Sequence, residues 1–290
     1  MVRKFVKIFG IAIFTLLPVL LNAQDEDLLA DEPKVETNQY VDFAFKTTKV
    51  VNLQSLEMLG AGVFDFKMNH RFGAINEGPI NAFGLDKATI RFGGEYGVTP
   101  NFMVGIGRSN LSSFKNVDAY FKYRFLRQQK GNHRPVTALL FYGIENLIGS
   151  PFDQYIYSQR LTHTAQLIIG KKVSDGFSFQ FSPTVLWNSA YGRTFTKIAL
   201  GIGMRQKLTP RTTMNLEYIP LLTSHNNLVN SLSVGFDIET GGHVFQLHFT
   251  NSLGLNEAQF IGNTRETWDA YGIRFGFNLS RVFTIVKPKI

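Results

Sequence analysis

The sequence predicts an all-β fold, a transmembrane antiparallel up-and-down β-barrel of about 12 strands with both termini periplasmic. Three observations carry that prediction. The segment 268–279, W-D-A-Y-G-I-R-F-G-F-N-L, splits by parity into Tyr271, Ile273, Phe275, Phe277 and Leu279 on one face and Ala270, Gly272, Arg274, Gly276 and Asn278 on the other. This is the two-residue period of a strand. Its continuous aromatic face suits lipid and its small, polar face suits water, the inverse of a soluble sandwich. The same period recurs along the whole chain, and the connections between its segments alternate in length.

Taken in order, residues 1–23 carry Arg3, Lys4 and Lys7, then an apolar run over 8–21, then L-N-A before Gln24. This is the form of a secretory signal peptide with cleavage after Ala23; the run is short of the roughly 20 residues that a spanning helix needs. Residues 24–59 form an acidic periplasmic lead-in, in which 50–59 are expected as a short helix plugging or capping the barrel mouth. Residues 60–290 hold the barrel, a single domain with no linker-like break. Within it the segments of period two are 63–71, 88–96, 102–108, 117–125, 136–142, 164–172, 177–187, 198–205, 212–218, 231–238, 244–250 and 268–279.

Tight turns at Thr99-Pro100-Asn101, Ser174-Asp175-Gly176, Thr209-Pro210-Arg211 and Thr240-Gly241-Gly242 fall at every second connection, with a longer basic turn over 127–134 in the remaining slot. The intervening connections, 73–87, 144–161, 219–230 and 252–267, are mostly longer. Short periplasmic turns alternating with longer external loops are the topology of outer-membrane barrels, which places the protein in the outer membrane of a Gram-negative bacterium, in contact with its lipid. The end, V-F-T-I-V-K-P-K-I, lacks a terminal aromatic; Phe283 stands in that role, set back from the last residue.

The formal charge is +8, and removing residues 1–23 with their three bases leaves 8 − 3 = +5. Lys and Arg are scattered singly among the strands, which argues against nucleic acid as a partner. The chain has no cysteine, so disulfides and thiolate metal sites are excluded.

The motifs H-R-F-G at 70–73, F-G-L-D at 83–86, G-I-G-R-S at 105–109, K-Y-R-F-L-R-Q at 122–128, E-T-G-G-H-V-F-Q-L-H-F-T-N-S at 239–252 and F-N-L-S-R-V-F at 277–283 are those of a known family. The chain resembles, over nearly all of its mature length, the outer-membrane β-barrel proteins of Bacteroidota-type bacteria catalogued as a domain of unknown function. The resemblance implies an outer-membrane barrel and brings no activity and no catalytic residues with it.

Barrels that act on lipids exist, and a phospholipase-like enzyme is the alternative function class. None of the six histidines, His70, His133, His163, His225, His243 and His248, stands in a nucleophile motif. His243 and His248 are five apart, on opposite faces of a strand, and do not form a metal pair. Gly105-Ile106-Gly107 and Gly201-Ile202-Gly203 do not continue as nucleotide loops; they read as small residues that let strands curve and keep lumen volume free. No catalytic residue, cofactor or metal is expected.

The lumen-facing charges carry more information. Arg71, Arg91, Arg108, Lys122 and Arg124 from the first four strands, joined by Arg205, His248 and Arg274, are expected to line the interior with Glu217, Asp237 and Glu239. A basic wall facing an acidic wall across a water-filled pore would orient small polar solutes. The other reading pairs Asp65 with Arg91, and Asp118 with Lys122 and Arg124, and packs the lumen shut. Both readings stay open from sequence, so the expected function is a narrow passive channel for small polar solutes or a non-enzymatic envelope component.

Overall fold

A computed structural model describes residues 39–111, 114–149, 152–188, 195–223 and 227–287. The expected signal peptide, its cleavage after Ala23, the acidic stretch up to residue 38 and His225 lie outside the described residues. The barrel is built from twelve strands: β1 Val63–Ala74, β2 Ala88–Thr99, β3 Phe102–Leu111, β4 Phe114–Leu126, β5 Thr137–Ile148, β6 Leu161–Lys172, β7 Phe177–Asn188, β8 Phe195–Lys207, β9 Thr212–Ile219, β10 Ser231–Thr240, β11 His243–Thr250 and β12 Arg274–Thr284. Each pairs antiparallel with its neighbour in sequence, and β12 returns to β1 from Val63↔Thr284 to Ala74↔Arg274. Closure leaves no unpaired edge, the condition for a sheet to sit in lipid.

Period two sets the two surfaces. On β7, Ser178, Gln180, Ser182, Thr184 and Leu186 are buried inward, while Phe181, Val185 and Trp187 are exposed outward. On β11, Gln246, His248 and Thr250 are buried and Phe245, Leu247 and Phe249 exposed. The outer face is apolar and aromatic, with Phe72 stacked on Phe275 and His163 on Trp187, as a lipid-facing wall requires.

Four of the five connections at one rim are short and hold the tight turns named above, the link between β4 and β5 being the longer basic one; those at the other rim exceed these four, apart from the two-residue link between β3 and β4. The strand expected at 268–279 begins only at Arg274 and runs on to Thr284. Residues ahead of it belong to the β11–β12 connection: Tyr271 has φ +56°, the Gly272 amide bonds to the Thr267 carbonyl at 2.9 Å, and Trp268 Nε1 reaches the Leu232 carbonyl at 3.0 Å. Alternation of aromatic and small residues continues past the point where the ladder stops.

An eight-stranded barrel is about filled by its own side chains, whereas twelve strands leave room inside. Two pieces of the same chain occupy that room. Residues 44–59 run within the barrel, and the β11–β12 connection folds inward with one short helix, α1, Glu257–Gly262. Phe45, Val50, Leu53 and Leu56 of the first piece and Phe260 and Ile261 of the second pack with inward Met103, Leu139, Phe141, Ile168, Leu186 and Ile219 in one apolar cluster. Burying each such side chain stabilises by about 1.5–3 kcal/mol, so apolar contact holds the filling in place.

The helix expected over 50–59 does not form. The segment makes a small hairpin, with the Val50 amide bonded to the Leu53 carbonyl at 2.8 Å and the Ser55 amide to that of Thr48 at 2.9 Å. Further main-chain amides and carbonyls of the segment are taken by the barrel wall, which removes donors and acceptors that a helix would use.

Candidate functional site: the filled lumen

Glu217 on β9 lies at the centre of the site and is fully buried. Its Oε2 accepts the consecutive amides of Val51, Asn52 and Leu53 at 3.2, 2.8 and 2.8 Å. Its Oε1 accepts Asn52 Nδ2 at 2.8 Å and Ser233 Oγ at 3.2 Å. A run of amides converging on one oxygen is an anion nest, here formed by the hairpin tip around a wall carboxylate. Across the lumen, Lys122 Nζ on β4 does the converse, donating to the carbonyls of Thr48, Ser55 and Glu57 at 3.3, 2.9 and 2.8 Å.

Arg71 on β1 joins the two inner pieces. Its guanidinium donates to Asn52 Oδ1 at 2.6 Å and to the Ser252 and Gly254 carbonyls at 3.0 and 2.5 Å. His248 Nε2 lies 3.3 Å from the same group. The inner pieces also touch directly, since Glu257 of α1 accepts Gln54 Nε2 at 2.8 Å and lies 3.3 Å from Lys49 Nζ.

The other expected lumen residues separate into distinct places. Arg91 makes a two-pronged pair with Asp118, Nε to Oδ1 at 2.9 Å and Nη2 to Oδ2 at 2.5 Å. Arg205 donates to the Ala44 carbonyl at 3.0 Å. Asp237 is held by Asn215 and Gln246 at 2.7 and 2.6 Å. Arg274 pairs with Glu266 at 2.6 Å near the long-loop rim. Arg124 and Glu239 stand at the short-turn rim, the first clamping the Pro100 carbonyl at 2.6 Å and the second paired with Lys46.

Arg108 is a correction. It is exposed on the outer face, in register with Phe92 and Val117 and alternating with buried Gly107 and Ser109. Parity with Phe102, Val104 and Ile106 already placed it there; its charge was no guide, because near the end of β3 an arginine reaches the polar boundary of the membrane.

The one-signed walls are also corrected. The side that carries Arg71, Arg91 and Lys122 carries Asp65, Glu95, Asp118 and Glu145 as buried carboxylates. Lys67 lies 3.6 Å from Asp65 and 3.2 Å from Glu95, and Glu145 is held by Asn116, Asn256 and Gln259 at 2.6–2.9 Å. The partners are therefore Arg91 with Asp118 and Lys67 with Asp65, not Arg91 with Asp65 or Lys122 with Asp118. Lys67, Glu95 and Glu145 share the inward parity of strands legible in the sequence; Asn52, Lys49 and Glu257 carried no sequence signal, because their role depends on which segment enters the lumen.

The glycines read as leaving volume free instead seat large side chains. A Cβ on Gly107 would lie 2.1 Å from the Arg91 guanidinium, and one on Gly105 2.3 Å from the Tyr120 ring. Beyond the packed middle, a cavity of about 560 Å³ opens at the short-turn rim between Phe43, Lys46, Arg205, Lys207 and His243, and one of about 180 Å³ lies at the other rim beside Asn263, Glu266 and Arg274. Among the described residues no group of three or more His, Asp and Glu could hold a metal.

Comparison with known proteins fits this architecture. The family model of the Membrane bound beta barrel domain (DUF5777) matches residues 45–283, so the matched region takes in the inner hairpin with all twelve strands. Among solved structures, a KdgM porin is similar with a TM-score of 0.50 and 9% identity over 76% of this chain and 99% of that one. A NanC porin matches with a TM-score of 0.47 and 8% identity, over 76% of this chain and 98% of that one. LpxR from Salmonella typhimurium matches at 0.36 and 10%, over 76% and 99%. At such identities the likeness is one of fold. No curated protein matches the sequence.

Proposed function

The chain belongs to the family of membrane bound beta barrel domains, DUF5777, and we propose that it is an outer-membrane passive channel for small polar solutes, closed by its own residues 44–59. In this reading the signal peptide is cleaved after Ala23, both termini are periplasmic and the outer face meets outer-membrane lipid. One observation carries the reading: the wall behind the hairpin is polar. Asn69, Gln180, Ser182, Thr184, Asn215, Glu217 and Gln246 are all buried against the filling, and each would be hydrated if the hairpin withdrew. A filling meant only to be permanent could be apolar throughout, since replacing buried ions by packed apolar groups is often neutral or stabilising. A wall of charges and amides suits an interior that alternates between protein and water.

The reading is tested in planar bilayers. The full chain should be silent at low voltage. Glu217→Gln with Lys122→Met removes charge-assisted hydrogen bonds worth about 1.5–3 kcal/mol each, and should give discrete current steps. Silence of that variant, with the heat-dependent gel shift of a folded barrel retained, overturns the channel.

A further inference from the structure

Beside the side-chain bonds that Asn52 makes with Glu217, Ser233 and Arg71 and Thr48 makes with Glu95 and Lys67, the wall grips the hairpin by its main chain. Glu217 takes three consecutive amides, and Lys122 takes three carbonyls. Gln180 donates to the Gln54 carbonyl at 2.6 Å, Gln246 to that of Val50 at 2.6 Å, Asn278 to that of Val51 at 3.3 Å, and Arg205 to that of Ala44 at 3.0 Å. Any buried segment must have its backbone groups satisfied. Here they are met by charged and amide side chains from β4, β7, β8, β9, β11 and β12, on all sides of the barrel, which recognise atoms common to every polypeptide.

The wall also offers more than the hairpin uses. Arg71 Nε, Arg205 Nε, Gln180 Oε1 and Asn215 Oδ1 are buried with no hydrogen-bond partner among the described residues. Unmatched donors and acceptors beside a bound chain are those of a surface not tailored to one sequence. At the short-turn rim the cavity of about 560 Å³ opens onto Phe45, Thr47, Thr48 and Glu57, so a second chain arriving there meets the two arms of the hairpin first.

We propose that the lumen is a polypeptide-binding site, in which residues 44–59 are the resident ligand and a flexible peptide supplied from outside can take their place through the same main-chain contacts. This deepens the channel reading, on which it rests for access to the lumen, and names flexible peptides as the solute class. Saccharide hydroxyls can donate to Glu217 and accept from Lys122, but a saccharide presents no run of consecutive amide N–H groups to one carboxylate oxygen, the pattern that Val51, Asn52 and Leu53 make on Glu217 Oε2.

The absence of cysteine allows a direct test, because one introduced thiol is unique. Val50→Cys places it in the hairpin at a site with no exposure, and Ser55→Cys is an equally buried second choice should the first not fold. The full chain in proteoliposomes is treated with a water-soluble maleimide, with and without a capped Gly-Ser repeat peptide of the hairpin's length, and with a maltooligosaccharide of equal mass as control. By mass action, peptide at ten times its Kd for the barrel with the hairpin withdrawn should raise the labelling rate about tenfold, and the saccharide should leave it unchanged. Glu217→Gln should raise labelling without peptide and reduce the added effect. Labelling that ignores the peptide, or answers equally to the saccharide, overturns the proposal even if bilayer currents establish a channel. Labelling that rises with peptide while no current ever flows supports the site and removes the channel.

Discussion

Arg91 and Asp118 show how a lumen charge becomes structural. The guanidinium is almost wholly buried and spends two of its nitrogens on one carboxylate. Removing one partner leaves an uncompensated buried ion, at a cost of about 3–5 kcal/mol. Arg91→Gln should therefore lower stability in denaturant titration by that amount, and adding Asp118→Asn should recover most of the loss. A loss in the double variant equal to the sum of the two single losses would show that the two groups are not coupled. The sequence makes plain which of these side chains face inward, since parity alone decides it, and Arg108 is misplaced only where charge is allowed to override parity. The partners are not legible. Asp65 and Asp118 are both inward and close in the strand order, and the choice of Lys67 for one and Arg91 for the other depends on side-chain reach across particular registers.

At the scale of one element, β7 offers a test of depth. Phe177 begins the strand at the short-turn rim, and Phe181 lies on the same outer face nearer its middle, 43% exposed to the lipid side. Arginine at the bilayer midplane of a barrel costs about 2–4 kcal/mol, and close to the interface about 0–1. Phe181→Arg should thus impair assembly strongly and Phe177→Arg little, measured as the folded fraction on unheated gels; equal losses would place Phe177 inside the hydrocarbon zone. An inward control is ruled out by packing: a Cβ on Gly276 would lie 2.5 Å from His248 Nε2, so Gly276→Arg breaks the interior for reasons unrelated to lipid. Strands were legible because alternation of aromatic and small residues is a local property. The start of β12 and the hairpin over 48–55 were not. Tyr271 leaves the ladder because its connection turns back toward Leu232, and Val50-Val51-Asn52-Leu53 forgoes a helix because Glu217, more than 160 residues later, claims three of its amides.

In the whole molecule the two inner pieces are tied to each other and to the same wall residues. Arg71 binds the hairpin through Asn52 and the β11–β12 connection through Ser252 and Gly254. Glu257 binds the hairpin through Gln54 and Lys49. Phe260 and Ile261 share an apolar cluster with Phe45 and Leu53. Withdrawing either piece with nothing to take its place strands buried ions and opens a cavity beside the other, so unassisted separate release is more costly than joint release. Thiols at Val50 and at Ser252, 0% and 1% exposed and on opposite pieces, should therefore react with maleimide at the same rate under mild denaturant. Arg71→Met should raise both rates by the same factor, because the clamp it removes belongs to both. If Val50→Cys becomes reactive while Ser252→Cys stays protected, the hairpin leaves by itself toward the short-turn rim, and the long connection is a fixed part of the wall. If the order is reversed, opening starts at the long-loop rim and the hairpin follows, which makes the β11–β12 connection the side from which the barrel is unlocked.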